Sequence, residues 1–254
     1  MEDDAVKISI YDSYEELSQV AAELILEEVE CKPNSVLSLA SGDTPRLAYQ
    51  YLASMARESH VDFSKVHFVS LDEWVGIPPT NSGSCYVFLK ENVFVPLNIS
   101  EDRIHFFDSN VRDLSKECLR INSVITNLKG IDLMLLGIGM NGHVGFNEPG
   151  ISAELMAHVI ELDEITRKVG QKYFNENTFL KQGITLGFAQ IMSAGKIIMM
   201  ANGKRKAAIL KKVVEEEIST AIPASIIRKH PDSLLLMDKE AGEKLSRHKS
   251  NVSP

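Results

Sequence analysis

Residues 131–150 read IDLMLLGIGMNGHVGFNEPG, and the reading of this stretch decides the fold. Leu133 to Leu136 form an unbroken apolar run, which fits a strand buried on both faces. Glycines follow at 137, 139 and 142, with His143 after them and Asn147-Glu148-Pro149-Gly150 closing the segment. A buried strand that empties into a glycine-rich turn carrying a histidine and a carboxylate is where an open α/β sheet places its chemistry. Gly137, Gly139 and Gly142 also spell G-x-G-x-x-G, and Asp163 lies near the distance at which a dinucleotide site carries its acidic residue. That fingerprint requires a helix to start at the turn with its N-terminus on a pyrophosphate. Pro149-Gly150 would end such a helix within about two turns, so the glycines are read as a sharp backbone turn approaching a small ligand.

Outward from this segment, apolar strands alternate with amphipathic helical stretches. Strands are expected over 6–11, 36–40, 65–71, 103–107, 131–136, 196–201 and 233–237. The third of these is expected to end at Asp72-Glu73-Trp74. Ser13-Tyr14-Glu15-Glu16 is a capping box that starts a helix running to about 30. Thr44 is expected as an N-cap, with Pro45 in the first turn of a helix to about 57. Further helices are expected over 85–95, 112–128, 163–174, from 203 to about 216, and briefly from 222. Residues 150–162 show no clear period. This alternation predicts an α/β fold, an open, mostly parallel, Rossmann-like sheet with helices on both faces. No linker or repeat divides it, so a single domain over 1–254 is expected, with the tail loosely held after about 245.

Composition narrows the function classes. A net charge of −8 argues against a general nucleic-acid surface. Cys31, Cys85 and Cys118 are too scattered for a disulfide framework or a metal site and fit reduced thiols in a cytoplasmic protein. The acidic start MEDDAVK does not resemble a signal peptide, and no apolar run approaches the ~18 residues that span a bilayer. The expectation is a cytoplasmic protein with no nucleic-acid or membrane partner.

The turns at Ser41, Asp72, His143 and Lys204 all follow the carboxyl ends of expected strands, where ligands bind in such folds. Ser41-Gly42-Asp43-Thr44-Pro45 reads either as a phosphate cradle of backbone N–H groups and hydroxyls or as an ordinary helix start. Asp43 suits a phosphate only if its carboxylate points away. Asp72 is either a turn cap or a catalytic base, while Glu73 reads as structural and Trp74 as a pocket wall or a packing residue. His143 with Glu148 is a general acid/base pair, against the alternative of a structural histidine. Lys204, Arg205 and Lys206 have the wrong sign for a helix start, so they face solvent or one of them meets an anion. No metal-ligand spacing occurs.

Taken together, residues 38–45, 71–76 and 136–150, and more weakly 183–187 and 222–225, resemble the glucosamine-6-phosphate deaminase/isomerase family, which includes galactosamine-6-phosphate deaminases. The related 6-phosphogluconolactonases share the glycine-histidine turn but lack Phe-Asn-Glu-Pro after it. The resemblance implies conversion of an amino-sugar 6-phosphate and water to a ketose 6-phosphate and ammonia, with no cofactor and no metal. His143 would assist ring opening with Glu148 orienting it, and Asp72 would carry a proton between C2 and C1. The phosphate would lie on Ser41, Gly42, Asp43 and Thr44, with Lys172 and Lys206 at positions where the family places basic residues. Lys172 stands where arginine is frequent, and it keeps the charge without the bidentate geometry. Asn141 stands where some members carry aspartate, which leaves Glu148 as the expected sole carboxylate partner of His143. His158 and Ile160 stand where activated members bind an effector through basic residues, so no such activation is expected. The Asp-Glu-Trp form, Asn81-Ser82-Gly83-Ser84-Cys85 and Ser219-Thr220-Ala221-Ile222-Pro223 resemble the galactosamine-type members more closely. The partner is therefore a small sugar phosphate, and a homo-oligomer is compatible with the chain. The alternatives are a 6-phosphogluconolactonase-type hydrolase on the same fold or a non-catalytic sugar-phosphate-binding protein.

Overall fold

A computed structural model describes residues 6–246. The start of the chain and the tail beyond 246, where loose attachment was expected, lie outside the described residues. The strands are β1 (Lys7–Tyr11), β2 (Val36–Leu39), β3 (His67–Val69), β4 (Asp72–Trp74), β5 (Ile104–His105), β6 (Leu133–Gly137), β7 (His158–Glu161), β8 (Gln182–Thr185), β9 (Lys196–Ala201) and β10 (Ser233–Asp238). The α-helices are α1 (Tyr14–Cys31), α2 (Asp43–Glu58), α3 (Cys85–Leu89), α4 (Leu114–Asn127), α5 (Glu164–Gly170), α6 (Phe188–Ile191), α7 (Ala207–Glu215) and α8 (Lys239–Gly242).

Seven strands form one parallel sheet in the order β1-β10-β9-β6-β2-β3-β5. Each central strand sends alternate side chains to opposite faces. Met134 and Leu136 join the core that holds Cys118 and Ile121 of α4 and Leu210 and Val213 of α7. Leu133 and Leu135 join the core that holds Leu17 and Ala21 of α1 and Ala48 and Leu52 of α2. Burial on both faces explains the unbroken apolar runs and bears out the expected α/β architecture. From β2 the chain builds outward through β3 to β5, and β6 then returns to the other side of β2. The crevice between β2 and β6 is thus a topological switch point, where such sheets bind ligands.

A second, three-stranded antiparallel sheet, β4-β8-β7, corrects the expected course of the third strand. β3 ends at Val69, and Asp72–Trp74 leaves the main sheet to pair with Gln182–Thr185. Neither β7 nor β8 was expected. They are short, and their packing rests on an aromatic cluster of Trp74, Phe146 and Phe174 that no local period announces.

Four expected helices are also changed, the short one from 222 being a 3₁₀ helix over Pro223–Lys229. The stretch from Cys85 winds into a π-helical turn over Lys90–Phe94, and α5 tightens into a 3₁₀ turn over Gln171–Tyr173. Lys204–Lys206 is a 3₁₀ turn ahead of α7. None of the described helices is long and apolar enough to cross a membrane.

Candidate active site

The β2–α2 turn forms one side of the site. Its expected cap is corrected: α2 starts at Asp43, with Gly42 in the cap position at φ +120° and no side-chain cap. Thr44 does not cap because its hydroxyl donates instead to Asn202 Oδ1 at 2.8 Å, beyond the end of β9. A side chain at 42 would be strained by that φ, and its Cβ would lie 3.2 Å from the Tyr173 hydroxyl oxygen. Asp43 Oδ2 accepts a 2.7 Å hydrogen bond from Lys172 Nζ. Arg46 approaches Oδ1 at 3.8 Å. Burial pulls the Lys172 ammonium down, but the bond to Asp43 more than offsets it and the net shift is upward.

Asp72 opens β4 and is almost fully buried. Burial, with the Glu73 carboxylate beside it, pushes its carboxyl up to about 7. Glu73 is structural, as expected. Its oxygens accept from the backbone N–H groups of Trp74, Cys85 and Tyr86 at 2.9, 3.0 and 2.9 Å, closing the start of α3 together with the Ser84 cap.

The glycine turn after β6 folds tightly on itself. Gly142 N–H donates to Gly139 O at 3.0 Å, and Gly139 N–H donates to His143 O at 2.9 Å. A Cβ at 139 would lie 2.4 Å from the His143 ring, so glycine there lets the imidazole lie flat on the backbone. No helix starts at this turn, in keeping with the rejected dinucleotide reading.

His143 Nδ1 faces two groups, the Thr166 hydroxyl at 3.1 Å and Glu148 Oε2 at 3.5 Å. Glu148 is buried. It accepts from Asn141 Nδ2 at 2.8 Å and from the Asp163 backbone N–H at 3.1 Å. Burial pushes the Glu148 carboxyl up, yet its bonds with His143, Thr166 and Asn141 outweigh this and hold it below the usual range. A carboxylate kept ionised at Nδ1 fixes the proton there and leaves Nε2 as the working nitrogen. Asn141 touches the His143 backbone and, through its side-chain amide, Glu148. Its carbonyl accepts from the His143 backbone N–H at 3.2 Å, not from the imidazole, and its amide N–H buttresses Glu148.

Of the three basic residues after Gly203, Lys204 and Arg205 are exposed and Lys206 turns inward. Lys206 Nζ donates to the carbonyl of Ile138, inside the glycine turn. Burial, with repulsion from Lys172, brings its ammonium down to about 8.

A cavity of about 430 Å³ gathers these groups. Ser41, Gly42, Asp43, Thr44, Asp72, His143, Lys172 and Lys206 line it, while Asn141 and Glu148 stand behind His143. Trp74 does both things considered for it, lining the cavity and packing on Phe146 at 4.6 Å between ring centres. Sequence reasoning missed Thr166, Tyr173 and Arg46, which also line the cavity. One signal for Thr166 lies in α5, whose apolar residues are on the wrong side for a core helix. Thr166 and Gly170 are buried, while Ile165 and Val169 remain 48% and 39% exposed at the cavity rim.

The comparisons with known proteins agree with this geometry. The family of glucosamine-6-phosphate isomerases and 6-phosphogluconolactonases matches residues 12–236. A glucosamine-6-phosphate deaminase of Thermoanaerobacter pseudethanolicus is 38% identical, with 93% of this chain and 94% of that protein covered. One from Lachnoclostridium phytofermentans is 42% identical over 87% of this chain and 94% of its own length. Among solved structures, a monomeric glucosamine-6-phosphate deaminase superposes with a TM-score of 0.91 at 34% identity, covering 94% of this chain and all of that one. A 6-phosphogluconolactonase from Trypanosoma brucei, at 22% identity and a TM-score of 0.74 over 95% of this chain and 99% of that one, shares the fold. By the extent of the family match and the identity to these relatives, the chain belongs to the family of glucosamine-6-phosphate isomerases and 6-phosphogluconolactonases.

Proposed function

We propose that the protein is an amino-sugar-6-phosphate deaminase, converting the sugar phosphate and water to a ketose 6-phosphate and ammonia. The observation that carries this reading is the pairing, in one cavity, of a buried Asp72 with its carboxyl at about 7 and a His143 backed by an ionised Glu148. A lactone hydrolase has no need of a carboxylate poised to take a proton from carbon and return it to the neighbouring carbon. An aldose–ketose isomerase has, and a carboxyl near the working pH suits both halves of that transfer.

The steps follow from the groups present. The phosphoryl group lies against the first turn of α2, near Ser41 and Thr44, with Lys206 and Lys172 supplying charge. His143 Nε2 takes the proton of the C1 hydroxyl and delivers it to the ring oxygen, so that the bond from C1 to the ring oxygen breaks as the C1 carbonyl forms and the pyranose opens, while Glu148 and Thr166 hold the imidazole at Nδ1. Asp72 removes the C2 hydrogen as a proton and returns a proton to C1, while a proton passes from the amino nitrogen to O1, so that C1 becomes a hydroxymethyl group and C2 a ketose-level imine. Water adds to C2 and the nitrogen leaves as ammonia.

The finer reading is a preference for galactosamine 6-phosphate, although the relatives above are named for glucosamine 6-phosphate. It rests on residues that resemble galactosamine-type members and that line the cavity: Trp74, Ser82, Gly83, Ser84 and Cys85. The test is ammonia release from glucosamine 6-phosphate and galactosamine 6-phosphate, beside hydrolysis of 6-phosphogluconolactone. Ammonia from either amino sugar with an inert lactone is expected, and the ratio of kcat/KM assigns the C4 preference. Lactone hydrolysis without ammonia overturns the reading.

A further inference from the structure

Asp43 is a paradox in a phosphate site. It is the first residue of α2, so its carboxylate sits where an anionic ligand would meet the helix, and two like charges there repel. The structure shows what occupies it instead. Asp43 Oδ2 holds Lys172 Nζ at 2.7 Å, across a sequence separation of 129 residues. Lys172 also lies 4.8 Å from the centre of the Tyr173 ring, whose hydroxyl reaches over Gly42. Lys172 and Lys206 both line the cavity, and the Lys172 charge helps to bring the Lys206 ammonium down. Only Lys172 is tied to a carboxylate; Lys206 is bound to a backbone carbonyl.

We propose that Asp43 sets the affinity of the site for phosphate by holding Lys172 as a competing partner, so that an arriving phosphoryl group takes Lys172 over from Asp43. The proposal rests on the reading of the β2–α2 turn as the phosphate site. Both side chains of the pair are about half exposed, at 49% for Lys172 and 60% for Asp43. A pair so exposed is weak and is readily displaced by a dianion. Asp43 is thus a positioning residue that acts through Lys172, away from the reacting carbons. It keeps the lysine extended toward the cavity before substrate arrives and lowers the hold of the site on free inorganic phosphate. The ordinary alternative is an acidic residue that only stabilises the first turn of α2. That role would change the melting temperature and leave phosphate binding alone.

The test uses the full chain as wild type, Asp43→Asn, Lys172→Met and the double variant. Two readouts are taken: the dissociation constant of inorganic phosphate by calorimetry, and the steady-state kinetics of ammonia release. Asp43→Asn is expected to tighten phosphate binding and lower KM by about two- to fivefold, with a larger effect on KM than on kcat and the gain shrinking in high salt. The same substitution is expected to gain less in the Lys172→Met background, because partner exchange requires the lysine. Unchanged or weaker phosphate binding by Asp43→Asn overturns the proposal. So does an equal gain in both backgrounds, which would mean a simple through-space repulsion. The phosphate titration needs no turnover, so a protein that binds phosphate as expected but releases no ammonia would sink the deaminase reading and leave this one standing.

Discussion

The seven-stranded sheet and the three-stranded sheet both reach the cavity, and they are held by different means. The main sheet is buried on both faces by aliphatic side chains, and its strand ends deliver Ser41 and the His143 turn. The small sheet is held largely by three aromatic rings, each seated on a glycine: Phe146 lies 2.4 Å from where a Cβ of Gly183 would be, Phe174 2.4 Å from that of Gly83, and Trp74 2.6 Å from that of Gly170. Asp72 stands where the chain passes from one sheet to the other. The lesson is a division of labour. The aliphatic sheet fixes the floor of the site, and the aromatic–glycine contacts set the position of Asp72 and, through Trp74 and Gly170, of the α5 segment that carries Thr166 and leads to Lys172.

Substitutions can break this contrast. Leu135→Ala, in the fully buried centre of the main sheet, is expected to cost about 2–5 kcal/mol of stability by cavity formation. Thermal or denaturant unfolding checks it, and the kcat of the folded protein should be unchanged. Asp72→Asn is expected to lower kcat at least ~10²-fold with little change in KM, because a transition-state role is lost and binding is not. An Asp72→Asn enzyme with near-normal turnover would falsify the assignment of the base. Gly183→Ala is expected to destabilise by about 1–3 kcal/mol through overpacking against Phe146 and, unlike Leu135→Ala, to lower kcat as well. A loss of stability without loss of kcat would show that the small sheet is scaffold only.

The pH dependence sharpens the contrast between the two walls. Asp72 must be ionised to take the C2 proton, so kcat/KM is expected to rise as pH increases through about 7. Lys206 must be protonated to hold the phosphate, so kcat/KM is expected to fall as pH increases through about 8. Each limb changes about tenfold per pH unit outside the window. The acid limb should vanish in the residual activity of Asp72→Asn, and the alkaline limb should persist there. Thr166→Val gives the smallest effect. It removes one hydrogen bond from His143 Nδ1, and a fall in kcat of about two- to tenfold is expected, read at the pH optimum.

The same contrast explains what could be read from the chain. The central strands and their order of alternation with helices were legible because burial on both faces writes continuous apolar runs, as at Leu133 to Leu136 and Ile197 to Met200. The turns carrying Ser41, Asp72, His143 and Lys206 were legible because they follow those strands. β4 was misread as the end of β3, since no glycine or proline marks the break at Ser70-Leu71; what diverts it is pairing with Gln182–Thr185 more than a hundred residues later. Thr44 was misread as a cap because its true partner, Asn202, lies 158 residues away. The partnership of Asp43 with Lys172 is equally remote, and Asn141 could be placed beside His143 from spacing but not oriented. Long-range hydrogen bonds leave no local period, and the illegible part of the site consists mainly of them.

The most direct test of the account follows the hydrogen at C2. Amino-sugar 6-phosphate labelled with deuterium at C2 is converted by wild-type protein, and ammonia and the position of the label are measured together. The account predicts that the label leaves C2 in step with ammonia release and that Asp72→Asn suppresses both equally. Ammonia released while the label stays on C2 would mean direct displacement of the nitrogen, with no aldose–ketose step, and would contradict it.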